Sequence, residues 1–322
     1  MPRPFRFGLQ SYVAESAQDW KNQVNAAEDL GFSTFTLADH YIGPGAALDR
    51  ASHPVQSIAA IPAMAVAASV SKTITIGCKV LCVDYHHPVV LAKELATIDL
   101  LSEGRLEIGL GAGWVAAEYE AMGLEMDRPG IRIARLEAVA DLVRRFCAGE
   151  SLDIRSEHVT AFDFDALPVS PQPGGPKIMI GGGAPRILAM AGRVANIVSV
   201  NFNNSSGTLA GPGIATATAK DTLEKIGWVR DGAGDRFSDI ELEIPAYFTK
   251  VTDDGDATVA SMAPMFGLEP DVFREHPHVL IGSVDHIVET LQTRREKYGI
   301  SYVSIAGKPR DFAPVVAQLS GN

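Results

Sequence analysis

Two periodicities alternate along this chain, and that alternation constrains the fold more than any single motif. Short apolar or β-branched runs read as strands: Phe5–Ser11, Thr34–Ala38, residues 73–83, Leu106–Gly111, Lys177–Ile180, Asn196–Val200, residues 240–251 and Ile300–Ile305. Helical spacing fills the gaps. It covers 18–30, stopping at Gly31 as a left-handed cap, an Ala-rich 55–70, and 88–101, opened by Pro88. It resumes over 131–147, from about 185, and over 214–230, 255–266, 283–298 and 310–319. Eight strand–helix units in 322 residues predict an α/β chain folded as a (β/α)8 TIM barrel. A doubly wound open sheet is the alternative, against which stand the count of eight and the lack of a mid-chain linker. Strands of such a barrel, buried on both faces, are expected to be largely apolar. Residues 150–176 break the rhythm, with a hairpin expected near 152–155 and 158–164 and then a Pro/Gly-rich stretch. They read as an insertion within one domain over 1–322. Residues 203–213 read as a Gly/Ser/Asn-rich loop.

Composition narrows the function. Acidic residues number 39 against 28 basic, a net charge of -11, with no basic stripe, so no nucleic-acid partner is expected. No run of ~18 apolar residues appears, so no membrane span is expected. Three cysteines, Cys78, Cys82 and Cys147, cannot build a disulfide framework. The first residues enter a strand without an apolar signal region. These features point to a cytoplasmic enzyme acting on a small molecule.

In a barrel, chemistry collects where strands end. Asp39-His40 follows the second strand: His40 suits proton transfer or ligand binding, and Asp39 suits anchoring the loop. Cys78, Cys82, His86 and His87 carry ligand-type atoms. Two cysteines four apart on a strand are about 13 Å apart at ~3.3 Å per residue, so a core-facing pair is expected rather than a zinc site. Gly109-Leu-Gly-Ala-Gly-Trp114 falls short of G-x-G-x-x-G but lets backbone approach a flat ligand. Glu118, within a turn of Trp114, is either a substrate residue or a helix-start residue. Ile180-Gly-Gly-Gly-Ala-Pro185 is the stronger glycine signal. Pro185 suits a first helical position, free N–H groups there bind phosphate, and Arg186 is close by; a plain tight turn is the alternative. G-x-S-x-G, H-E-x-x-H and Walker motifs are absent. A glycine-lined, phosphate-capable cleft with one well-placed His suits a bound redox cofactor.

These segments, together with Phe7-Gly-Leu-Gln10, Ala38-Asp-His40 and the long run from Tyr85-His-His-Pro to Asp99-Leu-Leu-Ser-Glu-Gly-Arg105, resemble the luciferase-like monooxygenase superfamily. The resemblance is to its coenzyme F420-dependent oxidoreductase branch, and it covers nearly the whole chain. It implies a TIM barrel with an insertion, cofactor at the C-terminal face of the strands, and a homodimer. A non-proline cis peptide at Lys79–Val80, behind the cofactor ring, is also implied. His40 matches the active-site histidine, and Gly181, Gly182 and Gly183 match the phosphate loop. Asp39, Lys79, Val80, Gly111, Ala112, Gly113 and Arg186 complete the implied cofactor set, and no metal is implied. Sugar-phosphate dehydrogenases of this branch carry a Trp four residues after the His and a Glu after the strand-four glycines. Here those positions hold Pro44 and Trp114, so sugar oxidation is not expected. Trp114 and Tyr41 suggest an aromatic-lined pocket instead.

The resulting reading is hydride transfer between F420 and an organic small molecule, with His40 positioning substrate or donating a proton. The rivals are an FMN-dependent monooxygenase fed by a separate reductase and a non-catalytic flavin-binding protein. Arg186, His86, His87, Arg128 and Arg132 are candidates to meet an anionic cofactor tail.

Overall fold

Eight parallel strands close on themselves in the computed structural model, which describes residues 2–207 and 211–322. They are β1 (Arg6–Ser11), β2 (Thr34–Leu37), β3 (Thr75–Cys78), β4 (Leu106–Gly111), β5 (Ile178–Gly182), β6 (Ile197–Val200), β7 (Glu241–Ala246) and β8 (Ile300–Ala306). Each pairs with its sequence neighbour, and β8 pairs with β1, which closes the barrel. The third strand is longer in sequence than in the ladder. It breaks at Lys79–Val80, a cis peptide, and resumes as Leu81–Cys82 against Leu110–Gly111. That bond lies where the resemblance implied it.

Helices cover the outside. Ser16 caps Ala17–Asp29 by accepting from the Asp19 N–H, and Gly31, at φ 81°, ends that helical segment. The Ala-rich helix begins at Ala60 rather than at 55. Pro62 explains the delay. It has no N–H to donate, and deeper in a helix its ring would meet the carbonyl of residue 58, so it is tolerated only in a first turn. The hairpin forms as Ser151–Arg155 against Thr160–Asp165. The loop expected over 203–213 falls partly outside the described residues. No helix among the described residues is long and apolar enough to cross a membrane.

The expectation of apolar strands holds fully on the face turned to the helices, whereas the inward face mixes Met179 and Ile197 with charged groups. Phe7 faces the helices, its ring 5.9 Å from Phe312, while Arg6, Gly8 and Gln10 of β1 face inward. Arg6 donates to Glu241 at 2.7 and 2.9 Å and to Glu107 at 2.8 Å, and its guanidinium lies 3.6 Å from the centre of the Tyr302 ring. Higher in the barrel, buried Lys79 pairs with Glu243 at 2.6 Å and donates to Ser304. Gln10 donates to the Lys79 carbonyl at 3.1 Å. Pairing lets these charges sit inside, where an isolated one would carry a heavy desolvation cost.

Residues 240–251 are not one strand. After Ala246 the chain leaves the barrel, and Phe248–Val251 pairs in parallel with Val279–Gly282, an apolar run too short to stand out in the sequence. Buried His276 and His278 sit between this ribbon and the barrel. The His276 Nε2–H donates to the Ile214 carbonyl at 3.0 Å, and its Nδ1 accepts from the His278 N–H at 3.3 Å. The His278 Nδ1–H donates to the Pro245 carbonyl at 2.6 Å, while its Nε2 is buried without a partner.

Candidate active site

His40 follows β2 at the rim of the barrel and is held by a residue 78 positions away. Its Nδ1 lies 2.7 Å from Oε2 of Glu118, which is fully buried in the first turn of the helix Ala116–Ala121. The other carboxylate oxygen accepts from the Tyr41 N–H at 2.6 Å, and the Tyr85 hydroxyl donates to Oε2 at 3.1 Å. Burial alone would raise this carboxyl. The bonds from His40, Tyr41 and Tyr85 outweigh it and hold Glu118 below the usual carboxylate range. An ionised carboxylate only accepts, so His40 carries its hydrogen on Nδ1, and Nε2 has no partner among the described residues. Glu118, left open in the sequence between two roles, is thus the residue that orients the histidine.

Asp39 anchors the rim as expected. Its Oδ2 accepts from the Cys82 N–H at 3.0 Å and pairs with His86 Nε2 at 2.8 Å, tying the end of β2 to the resumed third strand. Its Oδ1 is buried without a partner. The Lys79 side chain points into the barrel, to Glu243, so only the Lys79–Val80 backbone and the half-buried Val80 face the rim. Burial lowers the Lys79 ammonium, with Glu243 opposing the shift.

The glycines have packing reasons of their own. A Cβ at Gly109 would run into the Cys78 carbonyl, and one at Gly111 would lie 2.5 Å from Val80 Cγ2. Both make room for the break in the third strand. Gly113, at φ 70°, leaves space for the Tyr119 hydroxyl. The Ala112 and Gly113 carbonyls accept from Arg132. Arg132 is therefore buried in structural bonds rather than free for an anionic tail, a correction to the sequence reading. His86 is likewise taken up by Asp39. In the strand-five run, a Cβ at Gly182 would meet Ile187, and one at Gly183 would run into the Phe202 carbonyl. Gly181 alone has space: a Cβ there would lie 3.6 Å from Ser199 Cβ and 3.8 Å from Val80 Cγ1.

Beyond these glycines the helix Pro185–Val194 starts without a side-chain cap and without an acid in its first turn. Arg186 is exposed beside Gly130 and makes no ion pair among the described residues. Free N–H groups and an unpaired guanidinium are what an anion needs. Cys78 and Cys82 are buried as expected, with Cys82 Sγ 3.3 Å from the Tyr119 hydroxyl. His87 and Arg128 are exposed.

One rim residue carried no sequence signal. The His53 ring centre lies 3.9 Å from that of His40 and 5.7 Å from Trp114, with Tyr12 edge-on at 6.2 Å. Trp114 stands perpendicular to His40 at 6.4 Å. Tyr41 meets Tyr85 at 5.9 Å, so aromatic rings do border the rim.

The fold and rim define a (β/α)8 barrel with a carboxylate-held histidine at its strand ends. The family described as luciferase-like monooxygenase matches residues 3–212, and the chain belongs to that family. It is 30% identical over 142 residues to limonene 1,2-monooxygenase of Rhodococcus erythropolis, covering 44% of this chain and 33% of that protein. It is 27% identical over 238 residues to an F420-dependent glucose-6-phosphate dehydrogenase of Nakamurella multipartita, covering 70% and 64%. The chain thus spans between a third and two thirds of the length of these relatives. Among solved structures, an F420-dependent secondary alcohol dehydrogenase with an F420-acetone adduct superposes with a TM-score of 0.74 over 97% of both chains at 16% identity, a likeness of fold.

Proposed function

We propose that this protein is an oxidoreductase that transfers a hydride between coenzyme F420 and an organic small molecule. The observation that carries the reading is His40, fixed through Nδ1 by an ionised, buried Glu118 with Nε2 unpartnered at the rim. Other features fit a deazaflavin cofactor. Asp39 Oδ1 is buried without a partner, a Cβ at Gly181 would make only ordinary contacts, and the uncapped helix with Arg186 suits a phosphate. When bound, the cofactor supplies hydride exchange. The chain's own residues do the rest. Glu118 holds the imidazole, His40 Nε2 moves a proton to or from the substrate or positions it, and Trp114 and Tyr41 border an apolar entrance. With this reading go a homodimeric state, as the resemblance implies, and the cytoplasmic location expected from the composition.

The monooxygenase relatives, one of them named FMNH2-dependent, favour a second reading, an FMN-dependent monooxygenase. Titration of the protein with F420 and with FMN, followed in the visible band of each, separates the two. F420 should bind, more weakly as salt rises because its tail is anionic, and Arg186→Ala should weaken it and flatten the salt dependence. Tight FMN binding with no F420 binding overturns the proposal and supports the monooxygenase.

A further inference from the structure

The ring of His53 lies tilted at 44° against that of His40, with the ring centres 3.9 Å apart. Its only hydrogen bond among the described residues runs from Nδ1 to the carbonyl of Pro54, at 2.8 Å. A carbonyl only accepts, so the hydrogen is on Nδ1. Burial, and then the neighbouring His40, push this imidazole down to about 4, which makes it neutral near pH 7. A neutral ring with its hydrogen on Nδ1 leaves Nε2 as an acceptor with nothing to accept from. The bond to Pro54 reaches only the next residue. It orients the ring without tying two segments together, and an apolar ring would fill the same space.

Both histidines therefore present an unpartnered Nε2, and in the neutral His53 ring that nitrogen can only accept. We infer that His53 determines substrate specificity: its Nε2 accepts a hydrogen bond from a hydroxyl or N–H group of a largely apolar substrate, beside the atom that His40 serves. This rests on the proposed reading of the rim as a substrate site and adds the class of substrate. It selects molecules with a donor close to the reacting centre over equally apolar molecules without one.

Calorimetric titration with 2-naphthol and 2-methoxynaphthalene, with and without F420, tests the inference, because the pair differs by one donor on the same ring system. The native protein should bind 2-naphthol about three- to tenfold more tightly, the worth of one neutral hydrogen bond. His53→Phe keeps a ring but removes the acceptor, and should bring the two ligands to parity. His53→Gln keeps an acceptor and should retain a preference, which covers the case in which Phe disturbs the fold. No preference in the native protein, no binding of either ligand, a preference that survives His53→Phe, or one lost in His53→Gln overturns the inference. A preference that holds while F420 fails to bind supports the role of His53 and overturns the cofactor reading instead.

Discussion

Replacing His276 by Gln should remove about 2 kcal/mol of the stability that the protein loses between pH 8 and pH 5. In the folded chain the ring is buried with both nitrogens engaged, one donating to Ile214 and the other accepting from His278. A proton on Nδ1 would destroy the second bond and set a charge near Arg294 and Lys225. Burial first, then those cations, hold the imidazole at about 4 against 6.5 for a free side chain. The unfolded chain therefore takes up a proton that the folded chain refuses. The stability due to His276 is complete above pH 6.5 and falls as pH drops from 6.5 towards 4. For those two values the loss at pH 5 is about 2 kcal/mol, on the order of 0.5–1 M in a urea midpoint. Gln keeps a donor for the Ile214 carbonyl and has nothing to titrate. His278 is present in both proteins, so the difference between their pH-dependent losses reports on position 276. Urea unfolding of both proteins at pH 8 and pH 5 gives that difference, and equal losses would refute the argument.

Three further outcomes are expected. His40→Ala should lower turnover about 10²–10⁴-fold, the usual share of a general acid or base, with cofactor affinity nearly unchanged; steady-state kinetics and cofactor titration on the same variant check both halves. Gly183→Ala should destabilise the fold with or without cofactor, because its Cβ would run into the Phe202 backbone. Gly181→Ala should keep the melting temperature of the native protein, so any loss of cofactor affinity in it reports on the binding surface itself.

The barrel was legible because a strand followed by a helix leaves a local imprint, and eight imprints in order have few other solutions. His40 and Asp39 were legible for the same reason: the end of β2 is a local landmark. Glu118 was visible as a residue, but its partner was not, because the bond to His40 joins the end of β2 to the helix after β4, segments that only the folded barrel brings together. His53 lay in an irregular stretch with no period to mark it. Arg132 shows the opposite failure. A cation near a glycine loop looked free for a ligand, and only the folded chain shows it spent on the Ala112 and Gly113 carbonyls. The inward charges of β1, β4 and β7 were present in the sequence as alternation, but the neighbouring apolar residues dominated the reading.

Those inward charges bear on how far the chain can be divided. The family match ends at residue 212, although the barrel beneath the rim depends on β7 and β8. Glu241 and Tyr302, which meet Arg6, and Glu243 and Ser304, which hold Lys79, all come from those two strands. A fragment stopping near 212 would retain every glycine and histidine quoted for the cofactor yet leave Lys79 as a buried ammonium without its carboxylate. Losing one partner of such a pair costs about 3–5 kcal/mol, much of the margin by which a domain is folded. The recurring part of this sequence is therefore not a portable module. A chimera that grafts it onto a foreign C-terminal third should be markedly less stable unless that third returns a carboxylate to the position of Glu243, whereas Arg6 would keep Glu107.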